Sequence, residues 1–310
     1  MENLNAILQI ARDYKGLKRK GEIGEVLKIL GETDYDDAGI LDIKEDFHIV
    51  VSTDGITEDL VKADPWFAGY YSVLVNVNDV VVKGAKPLGY VNVVSGGADT
   101  RKKIAEGIKA ALDKYDLKLL KGHTHPDTTY EAIDAAVVGI AKRVAKGTDA
   151  KPGDKLIMVI DLNGAFGIKG WVKCFDSTLN KSKDALKHMI DTIVTSINDG
   201  LVTASRDISA PGILGSLAML CEASRAGAEI DLTRIPKPKD MPLSEWLISY
   251  PAMGFIFASK TDRSLKLFRD AGFSAEVVGT FTKKRVISAS LKDENEVFLD
   301  LSKTSVFGVN

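Results

Sequence analysis

A chain of 310 residues, 45% hydrophobic and 27% charged, has material for a large core and for two domains rather than one. Lys+Arg of 41 against Asp+Glu of 43 leaves a formal charge of −2, so no global field draws the chain to nucleic acid or anionic lipid. The two cysteines, Cys174 and Cys221, lack the C-x-x-C spacing of a metal or redox site and are too few for a disulfide framework; both are expected reduced and buried.

The first stretch, MENLNAILQIARDYKGLKRKGEIGE, contains acids and no apolar signal region, and nothing along the chain approaches the ~20 apolar residues of a membrane span, so the expected location is the cytoplasm. Residues 1–30 read as an N-terminal arm or helix, and the first 20, with Lys15, Lys18, Arg19 and Lys20, as a mobile arm. Over residues 31–148 the strand-like runs FHIVVST, LGYVNVVSG, LKLLKGH and AIDAAVVGIA alternate with helical segments around 65–83 and 100–115. The turn Lys151-Pro152-Gly153-Asp154 then opens a second unit, 149–310. It has helices near 182–199 and 213–226 and the strands KLIMVID, GAEIDL, GFIFAS and SAEVVGTF. Both halves are α/β or α+β.

The segment VNVNDVVVKGAKPLGYV, residues 75–91, is apolar enough to be buried yet carries Asn76, Asn78 and Asp79. Its valines favour a strand, but the run from Trp66 to Lys83 is too long for one, and Gly84 followed by Pro87 is a helix stop. On a helix Ser72, Asn76, Asp79 and Lys83 fall at spacings of four, three and four, in one line on one face. That line is either a solvated stripe or a set of ligands. Two further acidic groups stand near strand ends: Asp34, Asp36 and Asp37 in ETDYDDAGIL, and Ser52, Thr53 and Asp54 closing HIVVSTDG. Each alone is a common turn or cap element. Together Asp37, Asp54 and Asp79 suit magnesium, which takes oxygen ligands and is held by a few carboxylates plus substrate phosphates.

Later motifs add polar turns. LLKGHTHPDTTYEA places His123 and His125 at alternate positions, but no Cys accompanies them and His48 and His188 are the only other histidines, which argues against zinc. Gly122, His123 and Thr124 after the strand instead suit a phosphate or a metal-bound water. Asp207, Ser209 and Gly212 precede an apolar helix, where they either cap it or bind an anion. There is no G-x-x-x-x-G-K-[ST] and no G-x-G-x-x-G at a strand–helix turn, so neither a P-loop nor a Rossmann site explains the pattern.

The ordered set DD, STDG, VNVNDVVVKGAKPLG, GHT, KPGD and DIS before a glycine-bearing helix resembles the aminoimidazole ribonucleotide (AIR) synthetase, or PurM-like, superfamily, over roughly residues 30 to 290. That superfamily includes thiamine-monophosphate kinase, selenophosphate synthetase and the hydrogenase-maturation dehydratase. The resemblance implies a two-domain α/β chain, a homodimer formed through a barrel-like pairing of N-terminal sheets, a C-terminal α/β sandwich domain, and ATP held by magnesium ions at the interface edge. It implies metal ligands at Asp37, Ser52, Thr53, Asp54, Asp79 and Asp207. It implies nucleotide contacts at Asn76, Gly122, His123, Thr124, Asp207 and Ser209, and catalytic roles for Asp54, Asp79 and His123. The departures are specific. His123 and Ala210 stand where thiamine-monophosphate kinase has carboxylates, and EWLISYPAMGF, residues 245–255, replaces its substrate signature. No cysteine precedes Cys174, and SVFGVN ends without one, unlike selenophosphate synthetase and the maturation protein respectively. The pattern is most similar to the uncharacterised AIR synthase-related, methanogenesis marker 2-like group. The expected function is ATP- and magnesium-dependent phosphoryl transfer to, or phosphate activation of, a small molecule. The alternatives are a nucleotide-binding dimeric regulatory or assembly protein and, second, thiamine-monophosphate kinase.

Overall fold

The computed structural model describes residues 3–31, 35–167 and 170–309; Asp34, grouped above with Asp36 and Asp37, lies outside them. Helix α1 (Leu4–Asp13) buries Leu4, Ile7, Leu8 and Ala11, residues spaced along one helical face. They pack into the core of the C-terminal half. The expected mobile arm is therefore corrected: its apolar stripe outweighs the charge of the lysines around it.

The first sheet, among the described residues, has β1 (Gly39–Lys44), β2 (Phe47–Gly55), β3 (Lys86–Ser95), β4 (Lys118–His125) and β5 (Ala132–Ala141) in the order β1-β2-β5-β3-β4. Between β2 and β3 runs α2 (Pro65–Val82), and between β3 and β4 runs α3 (Ala98–Tyr115), which makes that one pair parallel. Helix α2 starts where the Asp64 side chain accepts the Phe67 N–H, with Pro65 in the first turn, where a missing N–H costs nothing. Its valines are helical because burial on nearly every side decides against their strand preference. It lies against α3 so closely that a Cβ on Gly107 would sit 1.9 Å from the Trp66 carbonyl oxygen and one on Gly69 2.1 Å from that of Ile104.

Strand β5 alternates. Ile133, Ala135, Val137 and Ala141 are buried on the side covered by the helices, while Ala136, Val138 and Ile140 are half-buried on the other. Cross-strand register puts Leu41, Val51 and Val93 on that second face, where they are 59%, 43% and 37% exposed. The outer face of this sheet is thus apolar and open.

The second sheet contains β6 (Lys155–Ile160), β7 (Ala204–Asp207), β8 (Gly227–Asp231), β9 (Gly254–Ser259), β10 (Ser274–Thr282), β11 (Val286–Leu291) and β12 (Glu294–Asp300), ordered β12-β11-β8-β10-β6-β9-β7. Alternate residues of β6 enter two cores. Ile157 and Val159 join the α2 core together with α4 (Lys183–Asn198), and Leu156, Met158 and Ile160 face α1 and α5 (Gly212–Ala223). The helices and strands expected near 65–83, 100–115, 182–199 and 213–226 are present, and β1, β7, β11 and β12 are additional to the sequence reading. Both cysteines are free and buried. No helix of the described residues is long and apolar enough to cross a membrane.

Candidate functional site

Three carboxylates converge from separate elements. Asp37 precedes β1, Asp79 projects from α2 and Asp207 ends β7, and an oxygen from each lies within 4.8 Å of the others. Helix α2 turns its polar line toward the sheet. Ser72 Oγ is 2.7 Å from the Tyr90 hydroxyl, and the Ser52 hydroxyl donates to Asp79 Oδ2 at 2.6 Å and lies 3.2 Å from Asn76 Oδ1. Asn76 donates to the Ser72 carbonyl. Lys83, at the end of the line, is fully buried; its ammonium is 2.6 Å from Asp36 and 3.2 Å from Asp37, and it donates to the Ser205 carbonyl. The line is a buried network and not a solvated stripe.

Arg206 completes the arrangement from β7, with its guanidinium 3.1 Å from Asp37 Oδ1 and over the rings of Tyr35 and Phe307. The Asp207 backbone N–H donates to Asp37 Oδ2 at 3.2 Å. Burial, then the charges of Asp207, Asp54 and Asp37, push the Asp79 carboxyl well above the usual carboxylate range, against the Ser52 hydrogen bond. Burial and the charge of Asp37 do the same to Asp207, against Arg206. Asp36 moves the other way: burial raises it, but Lys83 and Arg206 together with hydrogen bonds hold it low. Asp37 is thus gripped by two cations, while Asp79 and Asp207 have acidic neighbours and no ion pair among the described residues.

Asp54, at the end of β2, lines a cleft beside this cluster together with Asp207 and Ser209. Solvent reaches Asp54, yet the cleft walls crowd it; burial raises its pKa, Lys20 lowers it and Asp37 raises it. Arg19 and Lys20, from the segment expected to be mobile, line the same cleft, and the Lys20 charge acts on both Asp54 and Asp207. That segment is clamped at Gly16, where a Cβ would come 2.1 Å from the Ala210 carbonyl oxygen.

Other sequence candidates sit elsewhere. Thr53 alternates to the outer sheet face, and its hydroxyl donates to the Ala135 carbonyl. Gly122, His123 and Thr124 are exposed on β4, three strands from β2 and so roughly 14 Å across the sheet. Gly122 and Thr124 line a groove against α3, and His123 alternates to the outer face with its ring 4.6 Å from that of His125. Within one chain these residues are not brought to the acid cluster. Sequence reasoning passed over Lys83 and Arg206 as partners of Asp37, and Tyr250 and Cys174 as cleft residues. Arg206 directly before Asp207 was the available signal for the first pair.

Family models for the N-terminal and C-terminal domains of AIR synthase related proteins match residues 35–141 and 151–292. An uncharacterised protein of Methanocaldococcus jannaschii, MJ0640, is 33% identical over 99% of both chains. The chain belongs to the AIR synthase-related family. Among solved structures, this family member superposes on T. maritima PurL complexed with AMPPCP with a TM-score of 0.74 at 17% identity. That match covers 94% of the chain and 52% of PurL, so the chain spans about half of the PurL it matches. It superposes on AaThiL complexed with AMPPCP and TMP with a TM-score of 0.70 at 17% identity, over 90% and 95% of the two chains. The fold of this AIR synthase-related protein is the two-domain PurM-like fold.

Proposed function

We propose that the chain is an ATP- and magnesium-dependent enzyme that phosphorylates a small molecule or activates it through a phosphorylated intermediate. The observation that carries this is the convergence of Asp37, Asp79 and Asp207 within 4.8 Å beside a cleft. The donor set suits magnesium in kind, since the donors are all hard oxygens; around an octahedral ion at about 2.1 Å adjacent ligands stand roughly 3.0 Å apart and opposite ones roughly 4.2 Å, so carboxylates within 4.8 Å of one another would draw together by up to about 2 Å to close on it. Two of them, Asp79 and Asp207, have their carboxyls pushed up first by burial and then by the acidic groups around them, as expected of groups that a cation completes. Asp37, Asp79 and Asp207 would hold the ion, with Asp54 and Ser52 beside them. Thr53 has no such part, because its side chain faces the other way. Bound there, magnesium would neutralise phosphate charge and polarise the group in transfer.

In this reading the protein's own groups position and accept. Lys83 and Arg206 fix Asp37, and Ser52 orients Asp79. Asp54, reachable from solvent and with a raised pKa, takes the proton of the acceptor as its oxygen forms the new P–O bond and the nucleotide leaves with the electron pair of the bond that breaks. The open apolar face of the first sheet supports a homodimer, since an uncovered face of this kind is closed by a second copy. The reading carries with it a cytoplasmic location, where ATP and magnesium are both supplied. The regulatory alternative rests on His123 and Ala210 standing where a relative has carboxylates, and thiamine-monophosphate kinase is disfavoured on the same ground.

The test is to incubate the purified chain with ATP, magnesium and a panel of small-molecule acceptors and to analyse the products by mass. A phosphorylated product formed only with magnesium is expected. ATP that binds and is never consumed would favour the assembly reading.

A further inference from the structure

The cleft beside the acid cluster has walls that phosphate chemistry does not use. Ile56, Leu60, Val75 and Val172 form an apolar side, and the space is about 150 Å³, the size of cavity that takes a benzene-sized molecule. Tyr250 also lines it, is only 6% exposed, and its hydroxyl has no hydrogen-bond partner. Buried hydroxyls are normally paired. Burial and the charges of Asp207, Cys174 and Asp79 raise the pKa of this one, so it stays protonated and is a donor. At the rim Arg19 and Lys20 form no ion pair among the described residues. Each instead lies over a ring, Arg19 at 5.3 Å from Trp171 and Lys20 at 5.3 Å from Tyr35, which places the cations without neutralising them.

Resting on the phosphoryl-transfer reading, we infer that this cleft is the acceptor site and takes a small organic acid. Its apolar body, a ring or a branched chain of about six carbons, lies against Ile56, Leu60, Val75 and Val172. One of its oxygens accepts the Tyr250 hydroxyl hydrogen bond, and its anionic group, carboxylate or phosphate, is held by Arg19 and Lys20. A polyhydroxylated sugar phosphate is a poor occupant, because its hydroxyls would face four apolar side chains without partners.

Calorimetric titration of the full chain tests this, first with AMPPCP and magnesium, then with probes added to that mixture. The probes are benzoate and phenyl phosphate, which share the ring and differ in the anion, ribose 5-phosphate, and neutral benzyl alcohol. Benzoate or phenyl phosphate should bind at least about tenfold more tightly than ribose 5-phosphate or benzyl alcohol. Tyr250→Phe should weaken that binding about fivefold, as loss of one hydrogen bond does, and the Arg19→Ala/Lys20→Ala double variant by more than about tenfold. The acceptor assignment is overturned if neither aromatic anion binds, if ribose 5-phosphate binds as tightly, or if both variants bind like the wild type. Absence of AMPPCP binding to the wild type would overturn the phosphoryl-transfer reading instead, so the two fail separately.

Discussion

Replacing Asp79 by Asn removes one charge from a triad whose oxygens lie within 4.8 Å. Two unit charges at that distance repel by about 3 kcal/mol at an effective dielectric near 20. Burial and the charges of Asp207, Asp54 and Asp37 push the Asp79 carboxyl upward, a shift that favours its neutral form and so offsets part of this repulsion. Asn keeps the oxygen that accepts from Ser52 and has no charge to desolvate. Without magnesium the variant is therefore expected to be more stable than the wild type by about 1–2 kcal/mol, roughly half of one such repulsion. With magnesium the order should reverse: a wild type saturated a hundredfold above its Kd gains about 2.7 kcal/mol, and the variant gains less than about 1. Urea unfolding followed by tryptophan fluorescence, in chelator and in millimolar magnesium, measures both. A variant that is less stable in chelator, or that gains as much from magnesium as the wild type, would refute the reasoning and make Asp79 a structural residue.

In chelator, the Asp79 carboxyl has a higher pKa folded than unfolded, so its proton-linked stability is complete below the unfolded value near 4 and is lost as pH rises through the folded value; urea midpoints against pH should fall less steeply in Asp79→Asn than in the wild type. Lys83→Met leaves Asp36 facing its burial without its closest cation and should cost about 3–5 kcal/mol in the same unfolding experiment; a loss under about 1 kcal/mol would contradict the buried network. The wild type should sediment as a dimer and Val93→Glu, on the open sheet face, as a monomer, whereas a wild-type monomer at all concentrations would remove the proposed interface. Incubation with ATP, magnesium and thiamine phosphate should yield no thiamine diphosphate, and formation at about 1 per second or faster would restore the kinase assignment.

The sequence carried the helix at 65–82 and its polar line because length, stop signals and a spacing of three and four are local properties. It also carried Asp37, Asp79 and Asp207 as oxygen donors, though their convergence depends on three elements far apart in the chain. What it did not carry follows the same division. The N-terminal segment was read by its lysines, yet Leu4, Ile7 and Leu8 at helical spacing are what dock it and bring Arg19 and Lys20 to the cleft. Tyr250 sits in a mostly apolar stretch, and only the surrounding structure leaves its hydroxyl unpaired. Thr53 was grouped with Ser52 and Asp54 by adjacency, but strand alternation turns it to the opposite face. Residues 122–124, within strand β4, are separated from the acid cluster by the sheet order, which pairs β4 with β3 and not with β2.

The most direct test of the central claim is calorimetric titration of ATP into the purified chain, once with magnesium and once with excess chelator. Carboxylates at Asp37, Asp79 and Asp207 repel a triphosphate unless a divalent cation lies between them. ATP should bind with magnesium and give no detectable heat in chelator; equal affinity in the two conditions would contradict the account.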